Sequence, residues 1–268
     1  MCGIAGTLYN KKFLQGIEVS SEDLINLIKD VKKNKASTEE FLELSWKYKS
    51  NINFLRFFSD DTERLKIRKI CSHISELNKK NKSELPHIDK NNSMEVYKSK
   101  LKDWENLEDS LWFLSKELDK TKSTIEFLAE KNLKGISQEK IILYREISKI
   151  IHAIDNRLEL RGRDSFGLSI SLTSKKFNID KKDLLKNSSQ NQEILFSKKN
   201  NNETVSFVFK VSNKIGGLGD NAIELKKLIK ENIYFSKILK EVDIENAIIV
   251  AHTRWASVGD VNLHNTHP

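Results

Sequence analysis

The chain has 268 residues, of which 38% are hydrophobic and 31% charged, a length that suits one large domain or two ordinary ones. Its 46 basic and 38 acidic residues are scattered without an arginine-rich stripe, so we interpret the net charge of +8 as a solvated surface and expect no nucleic-acid partner. Only two cysteines, no signal-peptide pattern and no membrane-length apolar run predict a soluble cytoplasmic protein without a membrane partner.

The first predicted element is a short strand over residues 1–9. Between residues 18 and 134 apolar residues recur at helical spacing, which predicts helices near 21–33, 38–57, 62–79, 94–120 and 122–133. Ser37 and Glu40 form a capping-box pattern at the start of the second helix. Cys71 falls on the apolar stripe of the third helix, and we expect an inert core thiol.

After Gly135 the pattern changes from helices alone to alternating helices and strands. Ser137 is expected to cap a helix, which runs into a loop and then an alternating strand within "LRGRDSFGLSISL". Further strands are predicted at 205–211 and, as a buried strand, at 247–251, and Asp220 is expected to cap a helix between them. This order of elements predicts an α+β sandwich that a helical block interrupts early in the chain.

Cys2 directly follows the initiator methionine. If Met1 is removed, the thiol shares its residue with a free α-amine, whose ordinary pKa of about 7.7–8.0 lets it act as a base near neutrality. Nucleophile and base are then combined in one residue. Taken alone, the position favours a different interpretation, in which Cys2 is simply a small apolar residue at the start of a strand.

Three later motifs favour the catalytic interpretation, because "RGRDSFG" (161–167), "AHTRWASVG" (251–259) and "NTHP" (265–268) follow "CGIAG" in that order. Together they resemble the class II glutamine amidotransferases, whose glutaminase domain is an N-terminal-nucleophile (Ntn) hydrolase. Within that group they are most similar to the glutamine–fructose-6-phosphate aminotransferase family, which typically has "CGIVG", "RGYDSAG" and "HTRWATHG". The resemblance covers residues 2–9 and about 140–268. It implies an α+β fold, an αββα sandwich of residues 2–17 and 135–268 that is incomplete at the C-terminus and interrupted by a helical insertion, residues 18–134.

The resemblance also implies roles for individual residues. Cys2 would attack the side-chain amide of glutamine and form a glutamyl thioester with release of ammonia. Arg254 would bind the α-carboxylate of the substrate, which suits the planar guanidinium fork. Trp255 would pack at the site, Ser257 would supply a hydroxyl where the family has threonine, and His267 would line the pocket.

A supporting loop is implied behind the nucleophile, formed by Arg161, Gly162, Asp164 and Ser165, with a buried ion pair expected for Arg161 and Asp164. The chain departs from the family at Val258, where the family has histidine, and in the long insertion before this loop. The family's oxyanion-hole segment, "HNG", should follow the "HP" of residues 267–268. We therefore expect a fragment of a longer enzyme that has little activity by itself.

The expected function is the glutaminase part of an aminosugar-forming amidotransferase, with glutamine as substrate and with C-terminal sugar-phosphate isomerase domains as its partners in the full-length enzyme. No metal or organic cofactor is implied, and the resemblance allows a homodimer of the full-length enzyme. Two alternatives stay open. One is another class II amidotransferase, of the phosphoribosyl amidotransferase or asparagine synthetase type. The other is an inactive amidotransferase scaffold that carries a helical interaction module.

Overall fold

A computed structural model of the chain describes residues 2–13, 16–84, 94–129, 135–160, 162, 164–180, 184, 188–212, 217, 219–255 and 261–267. The chain divides into two compact units. Residues 15–122 form one of them, which we call the helical unit. Residues 1–14 and 123–268 form the other, which we call the sheet unit because it contains all five strands of the described sheet. The identity of either unit as an amidotransferase domain or an insertion stays a prediction.

The first half of the chain is built mainly from helices, and the first two of them begin with a capping box. Ser37 accepts a hydrogen bond from the backbone N of Glu40, whose carboxylate accepts one from the N of Ser37, so the predicted capping box is confirmed. The helices are α1 (Ser21–Lys32), α2 (Thr38–Lys47), α3 (Asn51–Ser59), α4 (Asp61–Glu84), α5 (Met94–Trp112) and α6 (Leu118–Leu128). Within the described ranges, none of the helices is both long and apolar enough to cross a membrane.

Two of the predicted helix boundaries are wrong. The helix expected over 38–57 is divided between α2 and α3, because the turn before Asn51 places Ser50 and Asn53 against an incoming segment of backbone. Ser50 donates its hydroxyl to Ile17 O at 2.7 Å, and the Asn53 side-chain oxygen accepts from Val19 N at 3.0 Å. The break expected between 120 and 122 is absent, since a π-helical turn at Phe113–Glu117 joins α5 to α6 without interrupting the helix.

The helical unit has a core of its own. A buried carboxylate, Glu63, accepts hydrogen bonds from Ser21 Oγ and from Tyr48 Oη, each at 2.7 Å, so both of its oxygens are satisfied. The fully buried apolar side chains of α1 to α4 include Leu24, Ile28, Phe41, Phe54, Ile67, Ile70 and Ile74. Paired polar groups within an apolar core favour one specific packing of these helices.

The sheet unit is built on one antiparallel sheet whose strands lie in the order β1-β5-β2-β4-β3. The strands are β1 (Gly3–Asn10), β2 (Ser165–Ser174), β3 (Gln192–Lys199), β4 (Asn202–Val211) and β5 (Asn246–Arg254). The helices are α7 (Gln138–Ala153), which continues into a π-helical turn at Ile154–Leu158, then α8 (Asp220–Glu231) and α9 (Ile233–Glu241). The predicted strands near the N-terminus, at 165, at 205–211 and at 247–251 are confirmed, and so is the cap at Ser137.

Three details of this half differ from the sequence-based expectations. Strand β3 and helix α9 were not predicted, because their short apolar patterns are weak. Asp220 is the first residue of α8 rather than its cap: Gly219, at φ 96°, precedes the helix, and the Asp220 carboxylate accepts from Gly217 N at 2.7 Å. Strand β5 alternates between buried and exposed residues instead of being buried on both faces.

The alternation gives the sheet two different faces. The inner face packs against α7 and α8 and contributes the largest buried side chains, including Phe166, Leu168, Phe207, Phe209 and Ile249. The outer face includes Ile4, Leu8 and Ile248, which are 73%, 74% and 52% exposed. The fold is therefore α+β with one antiparallel sheet among the described residues. The two-sheet Ntn sandwich stays a prediction.

Candidate functional site

The predicted site residues meet at one end of the sheet because of the position of β5. This strand lies between β1 and β2 and runs antiparallel to both, so its C-terminal end adjoins their N-terminal ends. Gly3 is paired with Thr253, and Ser165 is paired with Arg254. Cys2, immediately before Gly3, is thus next to Arg254 across strands that ordinarily lie about 4.8 Å apart. Three motifs that are far apart in sequence converge here.

Cys2 has an exposed thiol in this position. The other cysteine, Cys71, is a helical residue that is partly exposed, and burial raises the pKa of its thiol to about 12. A thiol with that pKa is protonated at neutral pH, and the protonated form is a poor nucleophile. Cys2 is therefore the more accessible of the two thiols, and Cys71 is the less reactive.

Gly3 is enclosed on the inner side of β1. A Cβ atom at this position would lie 2.8 Å from Leu158 Cδ2 and 2.9 Å from Thr253 Oγ1, so these two side chains would have to shift to admit it. The backbone N of Gly3 donates a hydrogen bond to Thr253 Oγ1 at 3.1 Å. A glycine after Cys2 therefore fits the close packing of β1 against the turn that ends α7.

Gly162 makes an equally close approach to the end of β5. A Cβ atom here would lie 2.9 Å from Arg254 C, 3.0 Å from Trp255 N and 3.2 Å from Arg254 N. The backbone also holds the loop in place, since Gly162 N donates to Leu158 O and Asp164 N donates to Arg254 O, both at 3.1 Å. The loop containing Gly162 therefore lies directly against the backbone of the predicted carboxylate-binding arginine.

The remaining described residues of the predicted loop are buried to different degrees. Ser165 is 1% exposed, and its hydroxyl has no hydrogen-bond partner in the described part of the chain. Asp164 is half-buried. Arg161 lies outside the described residues, so the ion pair expected between Arg161 and Asp164 stays a prediction. Ser257 and Val258 also lie outside them.

Arg254 ends β5 with a half-buried side chain that reaches the segment 261–267. Its Nη1 donates a hydrogen bond to the backbone oxygen of Asn265 at 3.1 Å. This contact brings the end of that segment, with His267, to the same end of the sheet. Trp255 follows with half of its surface exposed. The predicted substrate-binding residues that are described therefore lie together.

His252, which was not predicted as functional, lies against His267, which was. The rings of His252 and His267 meet edge to face with their centroids 5.7 Å apart. Burial, followed by the charges of His267 and Arg254, lowers the pKa of His252. Its Nδ1 atom is buried and has no hydrogen-bond partner among the described groups. His252 is therefore held mainly as the neutral imidazole.

Thr253 was also missed, although the motif "AHTRW" contains it. Its side chain is completely buried and links β1 to the π-helical turn that follows α7. Strand alternation was a usable signal, since a threonine between two outward-facing residues must point inward. Glycine and threonine in these motifs thus have packing roles, whereas Cys2 and Arg254 present reactive or charged groups.

The site consists of protein groups that can attack an electrophile and bind an anion. Within the described ranges, no group of three or more histidine, cysteine, aspartate or glutamate side chains is arranged to hold a metal ion. An exposed thiol beside a guanidinium suits a small substrate that carries a carboxylate and an electrophilic carbon.

Comparison with known proteins does not assign the chain to a family: no family model, no curated protein and no solved structure matches it.

Proposed function

We propose that the sheet unit is the glutamine-hydrolysing, ammonia-supplying part of an aminosugar-forming amidotransferase. In the full-length enzyme the reaction would convert glutamine and fructose 6-phosphate into glutamate and glucosamine 6-phosphate. The observation that supports this proposal best is the convergence of Cys2, Arg254 and the loop residues Gly162 and Ser165 at one end of the sheet. Within the α+β class, we propose that this unit has the fold of an Ntn hydrolase.

The proposed reaction uses the groups at this end of the sheet in a fixed order. After removal of Met1, the α-amine of Cys2 takes the thiol proton while Sγ attacks the amide carbon of glutamine. The tetrahedral intermediate collapses to a thioester as the amide nitrogen is protonated and leaves as ammonia. Water then hydrolyses the thioester, so glutamate is released and the thiol is restored. Arg254 orients the substrate through its α-carboxylate throughout.

The two alternatives differ from the proposal in the acceptor substrate or in whether the chain is catalytic at all. Another class II amidotransferase would use the same glutaminase chemistry with a different acceptor. An inactive scaffold would use the helical unit as an interaction module, and that option is supported by the separate core around Glu63. Glutaminase chemistry at Cys2 is expected of the proposed aminosugar enzyme and of another class II amidotransferase, but not of an inactive scaffold.

The test is covalent labelling by a glutamine analogue with a diazoketone in place of its side-chain amide. We expect one adduct on Cys2, detected by peptide mass mapping, and protection by excess glutamine. A Cys2→Ala variant should lose the adduct, and a Cys71→Ala variant, as the matched control, should retain it. Glutamate release from glutamine by the full-length enzyme should depend on Cys2 in the same way.

Labelling that is absent, or that excess glutamine does not prevent, would contradict the proposal. Adduct formation on Cys71 in place of Cys2 would contradict it as well. If glutamine protects Cys2 but fructose 6-phosphate is not aminated by the full-length enzyme, the glutaminase assignment stands and the aminosugar acceptor is wrong.

A further inference from the structure

Thr253 connects two segments that meet behind Cys2. Its hydroxyl accepts a hydrogen bond from Gly3 N at 3.1 Å and donates one to Leu158 O at 3.3 Å. The side chain has no exposed surface. A hydroxyl can donate and accept at the same time, so serine or threonine is needed for this bridge, whereas a valine of the same shape would break both bonds.

The acceptor carbonyl of this bridge is itself anchored. Leu158 O also accepts a hydrogen bond from Gly162 N at 3.1 Å, and the side chain of Leu158 lies against Gly3. The π-helical turn that ends at Leu158 therefore contacts both the start of β1 and Gly162. The hydroxyl of Thr253 connects this turn to the backbone of Gly3, so the position of the turn restricts the position of Gly3.

We infer that Thr253 is a positioning residue that fixes the backbone directly behind the Cys2 nucleophile. The inference rests on the proposed function. Because Cys2 would be the terminal residue, its only peptide bond is the one to Gly3, and Gly3 N is the first backbone amide that can be anchored. Rotation of the backbone at Gly3 moves the thiol and the α-amine of Cys2 relative to Arg254. A displacement of about 1 Å can lower the rate of reaction about 100-fold.

The inference predicts that loss of the hydroxyl affects reactions that need an oriented substrate and spares those that do not. We would compare the wild type with Thr253→Val, Thr253→Ser and a matched control, Thr7→Val. Thr7 lies on β1, four residues after Gly3, and donates its hydroxyl to Glu146 at 2.8 Å, away from the site. Each protein would be labelled with the diazoketone analogue of glutamine and, separately, with iodoacetamide, which needs only an accessible thiol.

We expect Thr253→Val to lower the rate of analogue labelling about 10- to 100-fold. Its rate of iodoacetamide labelling at Cys2 should stay at the wild-type value. Thr253→Ser should regain most of the analogue rate, because the bridge is rebuilt, and Thr7→Val should label as the wild type does. Wild-type rates of analogue labelling in Thr253→Val would overturn the inference while the proposed function stands. A wild type that the analogue does not label selectively overturns the proposed function and this role together.

If Thr253→Val does not fold, amide hydrogen exchange at Gly3 in the wild type and in Thr253→Ser replaces the labelling comparison. Protection of the Gly3 amide in both proteins would support the bridge. Exchange of that amide at the rate of an unstructured chain in the wild type would overturn it.

Discussion

Replacing Gly162 with alanine tests whether the predicted loop and the arginine strand are in direct contact. The new Cβ would lie 2.9–3.2 Å from three backbone atoms, Arg254 C, Trp255 N and Arg254 N. Backbone cannot rotate away as a side chain can, so β5 or the loop has to move. Overpacking of this kind costs about 1–3 kcal/mol, of which the lower entropy of the unfolded chain offsets about 0.4–1 kcal/mol.

The matched control is Gly6→Ala on β1, where the nearest atom to a new Cβ is 3.5 Å away, an ordinary contact. We would measure the free energy of unfolding of both variants in urea. Gly162→Ala should be less stable than the wild type by about 1–2 kcal/mol, and Gly6→Ala should not. The displaced strand should also slow analogue labelling of Cys2. Equal stabilities of the two variants, with labelling unchanged, would refute the close contact between Gly162 and Arg254.

Four further predictions follow from the same structure. Met1 should be absent from natively expressed protein, and an intact mass that includes Met1 in most molecules would exclude the α-amine of Cys2 as the base. Arg254→Lys should weaken analogue binding by about 10- to 100-fold, because the ammonium cannot form the bidentate pair, and iodoacetamide labelling serves as its control. Because the pKa of His252 is lowered in the folded state, the unfolded state binds more protons between that lowered pKa and about 6.5. The free energy of unfolding should therefore rise with pH across this range, and His252→Phe should reduce the slope in urea titrations. Residues 15–122 expressed alone should give a helical circular dichroism spectrum and a cooperative melt, and a disordered spectrum would show that the core around Glu63 needs the rest of the chain.

Local signals in the sequence were sufficient for the starts of several elements. The capping box at Ser37 and the cap at Ser137 involve residues three positions apart, so they are readable from the chain alone. The alternating pattern near 165–172 likewise predicts a strand directly. The local pattern was misleading where hydrogen bonds to distant residues end a helix. The helix predicted over 38–57 is divided at the turn where Ser50 and Asn53 bind the backbone near residues 17–19.

The residue types of the proposed chemistry can be read from the sequence, because a cysteine behind the initiator methionine and an arginine close to a predicted strand are visible without the fold. Their convergence depends on the tertiary structure. The register that places Gly3 opposite Thr253 brings Cys2 beside Arg254, and the position of β5 between β1 and β2 adds the Ser165 loop. Pairing between strands about 250 residues apart depends on the packing of the whole sheet, and the buried role of Thr253 exists only once that packing has formed.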